Sequence, residues 1–282
     1  MTAVIVPAHN EGRVIGRLLA RLVPTVRNGD LEVIVVANGC SDDTAAVAAS
    51  FGPAVRVLVL PAASKHDALV AGDRAAMSFP RLYVDADVEL APGAVAALAT
   101  ALEEPGVLAA APQRVLELAA SPWPVRWYYD IWARLPEVRH GLFGRGVIAV
   151  ARQGHERIAS LPPLLADDLA ASLSFAPHER RIVPGASVTV HMPRTLSDLL
   201  RRRVRAAAGV AQVERTDTAP GAAARTRLAD LASIVRDQPR VAPKVGLFLA
   251  VAVLSRLRAR RAVARSDYST WLRDESSRSG AG

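Results

Sequence analysis

Cysteine is all but missing: Cys40 is the one thiol in 282 residues. A lone thiol closes no internal disulfide and builds no thiolate metal cluster, which fits a reducing compartment. Long apolar runs are missing too. The opening "MTAVIVPAHNEG" has no basic leader and no extended apolar segment, so no secretory signal is expected. The apolar stretch within 244–265 is about ten residues, too short to span a bilayer. No Gly-x-Gly-x-x-Gly follows the first strand-like run and no Walker loop occurs, which disfavours dinucleotide and P-loop enzymes. "GLFGRG" (141–146) has the wrong glycine spacing and the wrong place. Few aromatics lie among the C-terminal arginines and there is no zinc-finger or RNA-binding signature, so no nucleic acid partner is expected.

What is present is unevenly charged. The net charge is +8, but from His191 onward 18 Lys/Arg face 8 Asp/Glu, whereas the first 190 residues hold 17 against 19. The basic excess belongs to the C-terminal third and suggests an anionic partner there, a diphosphate or a phospholipid. A chain of this length buries a proper core as one large domain, with or without an appendage.

Apolar periodicity organises the first half. Strand-like runs cover Thr2–Val6, Leu31–Val36, Val55–Leu60 and Leu82–Val84. Helical spacing covers Glu11–Val26, Asp43–Ser50, Lys65–Ser78 and Pro92–Leu102. Continuous apolar strands alternating with helices predict an α/β fold with a mostly parallel, Rossmann-like sheet covered on both faces. Val107–Ala111, Val147–Ala151 and "SVTVHMP" are further strand candidates. Residues 121–135, "SPWPVRWYYDIWARL", gather Trp123, Trp127, Tyr128, Tyr129 and Trp132; a helix packed on the sheet is expected, with an acceptor platform as the alternative. A basic helix is expected over 195–209, a flexible loop over 214–225, a docked helix over 244–265, and a disordered tail over 274–282.

In such sheets ligands bind beyond the carboxyl ends of the strands. "PAHNE", "ANGCSDD" and "DAD" all occupy that position. In "RLYVDADVEL", alternation along the strand puts Asp85 and Asp87 on one face, where two carboxylates converge. Unpaired they repel, and a divalent cation is the simplest group that makes the pair favourable. The alternative is a solvated acidic turn. Asp167 and Asp168 open a helix in "LLADDLAASLSF", a place the helix dipole favours, so plain capping competes with a catalytic role.

The ordered set "VIVPAHNE", "VVANGCSDDT", "KHDALVAGDRAA", "YVDADV", "ADD" and "RRRVRAAAG" resembles the inverting nucleotide-sugar glycosyltransferases of family 2, which have the GT-A fold. The resemblance covers residues 1 to about 210. It implies that Pro7, Ala8 and Glu11 line a nucleotide pocket, that Asn38 and Asp42 meet base and ribose, and that Lys65 approaches the nucleotide. It implies Asp85 near the ribose and Asp87 as a ligand of Mg2+ or Mn2+ on the diphosphate. Asp168, with Asp167 in the place of the family's Glu, would be the base. Arg202, Arg203 and Arg205 align with the family's Gln-x-x-Arg-Trp region and would hold the departing diphosphate. Ala206 replaces the Trp associated with processive synthases, which favours a single addition. Where relatives often have Asp-Asp-Gly-Ser, this chain has Ala37-Asn38-Gly39-Cys40, so the base is left open. His191 is either structural or a metal ligand, as in retaining GT-A enzymes.

The expected protein is thus a metal-dependent inverting glycosyltransferase taking a nucleotide-diphospho-sugar to a hydroxyl acceptor: a lipid, a polyprenyl phosphate or a small molecule. The expected organisation is a GT-A domain over 1–210 (1–105 donor half, 106–210 acceptor half), a basic helical extension over 211–273, and the tail. A cytoplasmic place is expected, with peripheral contact of the basic helix to the inner membrane face. The alternatives are a retaining enzyme of the glucosyl-phosphoglycerate synthase type, a nucleotidyltransferase, and a catalytically dead relative.

Overall fold

The structure, a computed structural model, describes residues 1–26, 29–215 and 226–264. Most of the loop expected over 214–225 and all of the tail over 274–282 fall outside these residues.

The first four strands form where the apolar runs lie: β1 (Thr2–Ala8), β2 (Leu31–Asn38), β3 (Arg56–Leu60) and β4 (Arg81–Val84). Between them run α1 (Ile15–Val26), α2 (Thr44–Ala49) and α3 (Lys65–Ala75). Every residue of β1 is buried, as a strand covered on both faces requires. One face is covered by α1, whose Ile15, Leu18, Leu19, Leu22 and Val23 form a single apolar stripe. The helix α3 covers the other face, with Ala68 against Ile5 and Val36.

The second half adds β5 (Glu89–Leu90), α4 (Ala94–Ala101), β6 (Ala109–Glu117), α5 (Trp123–Trp132), α6 (Pro136–His140), β7 (Val147–Val150), α7 (Arg152–Ala159), α8 (Asp167–Leu173), β8 (Arg180–His191), α9 (Leu196–Val213), α10 (Leu228–Asp237) and α11 (Ala242–Ala264). All eight strands make one sheet in the order β3-β2-β1-β4-β7-β6-β8-β5. The β3-β2-β1-β4 part is parallel, as expected. Beyond it β7 runs antiparallel to both β4 and β6, while β6 and β8 are parallel. β6 and β8 shift register where Pro112 faces Val183 but Gln113 faces Ser187, so Pro184, Gly185 and Ala186 bulge out of β8. Proline lacks the N–H that a ladder uses, and a bulge is where a strand tolerates it.

The aromatic segment is a packed helix. Tyr128, Tyr129 and Trp132 of α5 are buried, and only Trp123 is strongly exposed, at 61%. Phe248 of α11 stacks on Tyr128 with ring centroids 5.0 Å apart, and Lys244 donates to Asp130 at 2.6 Å. Val245, Phe248 and Val251 of α11 therefore belong to the same core as β1 and α1. Among the described residues no helix is long and apolar enough to cross a membrane.

Candidate active site

The carboxyl ends of β1, β2 and β4 open on one edge of the sheet, and the loops after them are tied together by side chains. Asn38, buried at the end of β2, donates Nδ2–H to Ala8 O at 2.8 Å and accepts the Ser64 N–H at 3.1 Å. It thereby fixes the ends of β1 and α3 to each other. Asp42 accepts from Gly12 N–H at 3.0 Å and Thr44 N–H at 3.1 Å. Burial opposes its charge, but the Thr44 and Gly12 hydrogen bonds outweigh this and hold its pKa below the usual carboxylate value. Buried Glu11 donates its N–H to Thr44 Oγ1 at 2.8 Å. Pro7 and Ala8 are buried at the end of β1. These five residues surround the edge, and Asn38 and Asp42 serve it by shaping its loops.

The charged centre lies where α3, β4 and α8 converge. Lys65, the first residue of α3, reaches Asp85 Oδ1 and Asp167 Oδ2, each at 2.9 Å. Lys65 and Lys244 are the only lysines in the chain. Burial disfavours the ammonium, yet Asp167 and then Asp85 more than offset it, so its pKa is raised and Lys65 stays charged. The side chain remains about a third exposed, 34%, so solvent screens part of this attraction. Asp168 is oriented differently. Its Oδ2 accepts the Gly144 N–H at 2.7 Å and its Oδ1 accepts the Leu169 N–H at 2.8 Å. Burial first, and the Asp167 charge second, raise its pKa above the ordinary value, against the pull of Gly144 and Lys65. Both acids stand in the first turn of α8 after Ala166, and Asp168 Oδ1 serves a first-turn N–H there, but Asp167 and Asp168 Oδ2 also hold partners outside the helix, Lys65 and Gly144.

Sequence reasoning missed the support beneath these acids. The dismissed "GLFGRG" supplies it: Gly144 holds Asp168, and the Gly146 carbonyl accepts the Asp85 N–H at 2.8 Å. Gly146 has φ +66°, and a Cβ there would stand 2.5 Å from Val88 and 3.3 Å from Asp85 Oδ2. Arg145 between them is buried and donates to the carbonyls of Pro112 and Arg139, each at 3.0 Å. Arg114 donates to the carbonyls of Val138 and Gly144 and lies over Trp132; burial first and the Arg145 charge second pull its pKa down to about 9, against the support of Asp168. Nothing in the local sequence marks Arg114, since it sits in the middle of a strand.

A second cluster lies beside the first. His191 Nε2 and Glu89 Oε1 are 2.9 Å apart, and Arg202 donates to His191 O at 3.4 Å. Glu89 pairs with Thr189 in the antiparallel β5–β8 ladder, two residues before His191, whereas Asp85 and Asp87 follow the end of β4, with Asp87 in a turn before β5, rather than sharing a strand face as expected. Among the described residues no three His, Cys, Asp or Glu side chains converge as a metal cage. On α9, Arg202, Arg205 and Gly209 share the face that meets Ala166, because positions three to four apart lie above one another. A Cβ on Gly209 would stand 2.7 Å from the Ala166 Cβ. Arg203 points elsewhere, its guanidinium 5.7 Å from the Tyr128 ring centroid.

Residues 3–146 match the family described as Glycosyl transferase family 2. No curated protein matches the sequence. The fold is similar to that of a mannosyltransferase from Pyrobaculum calidifontis in complex with GDP-Man and Mn2+, with TM-score 0.62 and 21% identity over 95% of this chain and 81% of that one. It is similar to glucosyl-3-phosphoglycerate synthase from Mycobacterium tuberculosis in complex with Mn2+, UDP-Glc and phosphoglyceric acid, with TM-score 0.56 and 22% identity over 77% and 81%. It is similar also to mannosyl-3-phosphoglycerate synthase from Rubrobacter xylanophilus, with TM-score 0.55 and 21% identity over 76% and 74%. At these identities the likeness concerns the fold, which is GT-A. Because the family match spans half the chain and covers the loops built above, the protein belongs to glycosyl transferase family 2.

Proposed function

We propose that this glycosyltransferase moves one sugar from a nucleotide-diphospho-sugar to an acceptor hydroxyl with inversion, with Asp168 as the base. The observation that carries the reading is the Gly144 N–H bond at 2.7 Å, which fixes the Asp168 carboxylate beside Lys65, Asp85 and Asp167. Burial makes that carboxylate a better proton acceptor than an exposed one. In the step, the acceptor O–H bond yields its proton to Asp168 and its oxygen bonds the anomeric carbon. The bond from that carbon to the diphosphate oxygen breaks, and the electron pair leaves with the nucleoside diphosphate. Arg202 and Arg205 meet the departing charge, whereas Arg203, expected to share that role, lies over Tyr128 instead. Pro7, Ala8, Glu11, Asn38, Asp42, Lys65 and Asp85 form and support the donor pocket.

Asp87 and His191 fit a divalent cation. They offer a hard carboxylate oxygen and an imidazole whose Nε2 is held by Glu89, as metal-bound histidines usually are. Mg2+ or Mn2+ on a diphosphate needs only one or two protein ligands, so a protein cage is not required. Such an ion, when bound, neutralises charge on the diphosphate as a Lewis acid. The test is release of nucleoside diphosphate from UDP-, GDP- and dTDP-sugars with Mn2+ or Mg2+ and with chelator. Release from one donor, lost with chelator and in Asp87→Asn, is expected; metal-independent nucleotide binding in both would sink the assignment.

The contact of His191 with Glu89, two residues after Asp87, favours one second reading, a retaining transfer of the glucosyl-phosphoglycerate synthase kind that needs no base at Asp168. The anomeric configuration of the product separates the two. The proposed organisation keeps a donor half (1–105), an acceptor half (106–210) and a helical extension (211–273). We extend the proposal to the membrane: on α11, Leu249, Val253, Leu254 and Leu257 are exposed beside Arg256, Arg258 and Arg260, a face that suits anionic lipid. The protein is expected to sediment with phosphatidylglycerol vesicles but not phosphatidylcholine vesicles, and Val253→Glu with neither. Equal sedimentation with both lipids would remove the electrostatic argument.

A further inference from the structure

One face of the sheet carries two separate apolar packings. Ala68 of α3 and Ala76 after it pack with Ile5 and Val36 of the sheet, and Ala171 of α8 and Phe175 after it pack with Ile148 and Val150. Tyr83 of β4 is the side chain that packs against both. Between them the sheet is left uncovered, and a cavity of about 100 Å3 remains. Its walls are Leu69 and Val70 from α3, Ile148 from β7, Ile158 from α7, and Leu161 and Leu164 from the segment leading to α8. Its mouth is formed by Lys65, Asp85, Asp167 and Asp168. The Lys65–Asp167 pair joins α3 to α8 across that mouth.

Protein interiors are close-packed, and a cleft whose walls are mostly apolar, with its charged groups at one end, favours a guest whose apolar part fills those walls. Two of the polar groups inside, Tyr83 and Asp73, are already matched. Tyr83 Oη–H donates to Asp73 at 2.9 Å, and Asp73 also accepts from Arg81 at 2.8 Å. A sugar would leave its hydroxyls without partners against these walls. At the mouth three carboxylates face one ammonium, so an acceptor with an anionic head and no cation of its own is repelled there, unlike a donor diphosphate that carries a divalent ion.

We infer that this cleft seats the hydrocarbon part of the acceptor, which is a neutral alcohol with a flexible aliphatic tail whose hydroxyl sits at the mouth beside Asp168. The inference rests on the transferase reading above and names the substrate class for it. The tail enters between α3 and α8, and the carboxylates exclude anionic acceptors from the same path.

The test uses the full chain and n-hexanol, with glycerol as the polar control. In methyl-labelled protein, n-hexanol is expected to shift the methyl signals of Leu69, Ile148, Ile158, Leu161 and Leu164 saturably, while those of Leu22 and Leu98 stay put. Glycerol is expected to shift none of them. Affinity along the series from propanol to octanol is expected to rise about three- to fourfold per methylene until the cleft is full. Leu161→Trp fills the cavity and is expected to abolish the hexanol shifts; if it does not fold, Ile158→Trp serves instead. No saturable shift at these methyls, equal shifts with glycerol, or a flat chain-length series would each overturn the inference. The transferase reading is judged apart, by nucleoside-diphosphate release. Donor turnover without alkanol binding overturns the cleft assignment alone, and alkanol binding without turnover of any donor leaves the cleft standing and removes the chemistry.

Discussion

Asp167 and Asp168 are neighbours in sequence, yet their side chains serve different partners. Asp167 is neutralised by Lys65, while Asp168 rests on the Gly144 N–H. Burial, helped by Asp167, raises the Asp168 pKa above 3.8, so the folded state holds its proton more tightly than the unfolded chain. The stability this contributes is present at low pH and is lost as pH rises through the raised value; above it the ionised carboxylate is a cost. Asp168→Asn removes that cost and can still accept the Gly144 bond. The variant is therefore expected to melt no lower than wild type at pH 7 while losing about 10²- to 10⁴-fold in turnover, as thermal melts and product assays would show. In wild type, kcat/KM is expected to fall with decreasing pH along a limb above 3.8, since a protonated Asp168 takes no second proton. The acids themselves were legible in the sequence, because carboxylates at a helix start and after a strand are conspicuous. Their supports were not: Gly144 acts through its backbone and Arg114 through its reach from a strand, and neither leaves a pattern of residue types.

The elements that were easiest to read are those of the parallel half, where each strand is a short apolar run bounded by polar loops. The antiparallel part was harder. β8 opens on Arg180 and Arg181 and contains Pro184 and Gly185, so its first half has no strand pattern, although the bulge accommodates both residues. The glycine-rich loop failed the phosphate-binding spacing test and was set aside, because its work is done by N–H and carbonyl groups that any sequence possesses. The arginines of α9 are conspicuous in its sequence, whereas its contact with the segment before α8 runs through Gln212, bonded to the Leu165 N–H at 2.9 Å, and Gly209, where a Cβ would stand 2.7 Å from that of Ala166. Gly209→Val is expected to lift α9 from the segment that carries Asp167 and Asp168. Overpacking of this kind costs about 1–3 kcal/mol, and turnover is expected to fall more than donor binding does. Denaturant melts and a comparison of kcat with nucleotide affinity check it; an unchanged kcat would mean that α9 gives way without moving Asp168.

At the scale of the whole molecule, the C-terminal helix is bound into the core of the domain it follows. Phe248 fills space against Tyr128, and its loss leaves a cavity under α5. Phe248→Ala is expected to cost about 3–5 kcal/mol, measured by denaturant unfolding, with a single transition for the entire chain. Two transitions would mean that α11 unfolds by itself. Half of the basic residues behind the charge asymmetry read from the sequence stand on α9 and α11. Basic residues in this protein are almost all arginine, and the exceptions are placed far apart: Lys244 on α11 against α5, and Lys65 inside the acidic centre. Reductive methylation with 13C-formaldehyde would therefore give two side-chain dimethylamine resonances in a protein of 29.9 kDa. One reports the contact of α11 with α5 and the other reports the proposed donor pocket, so nucleotide, metal and acceptor binding can be followed by a single carbon signal with its reference built into the same spectrum.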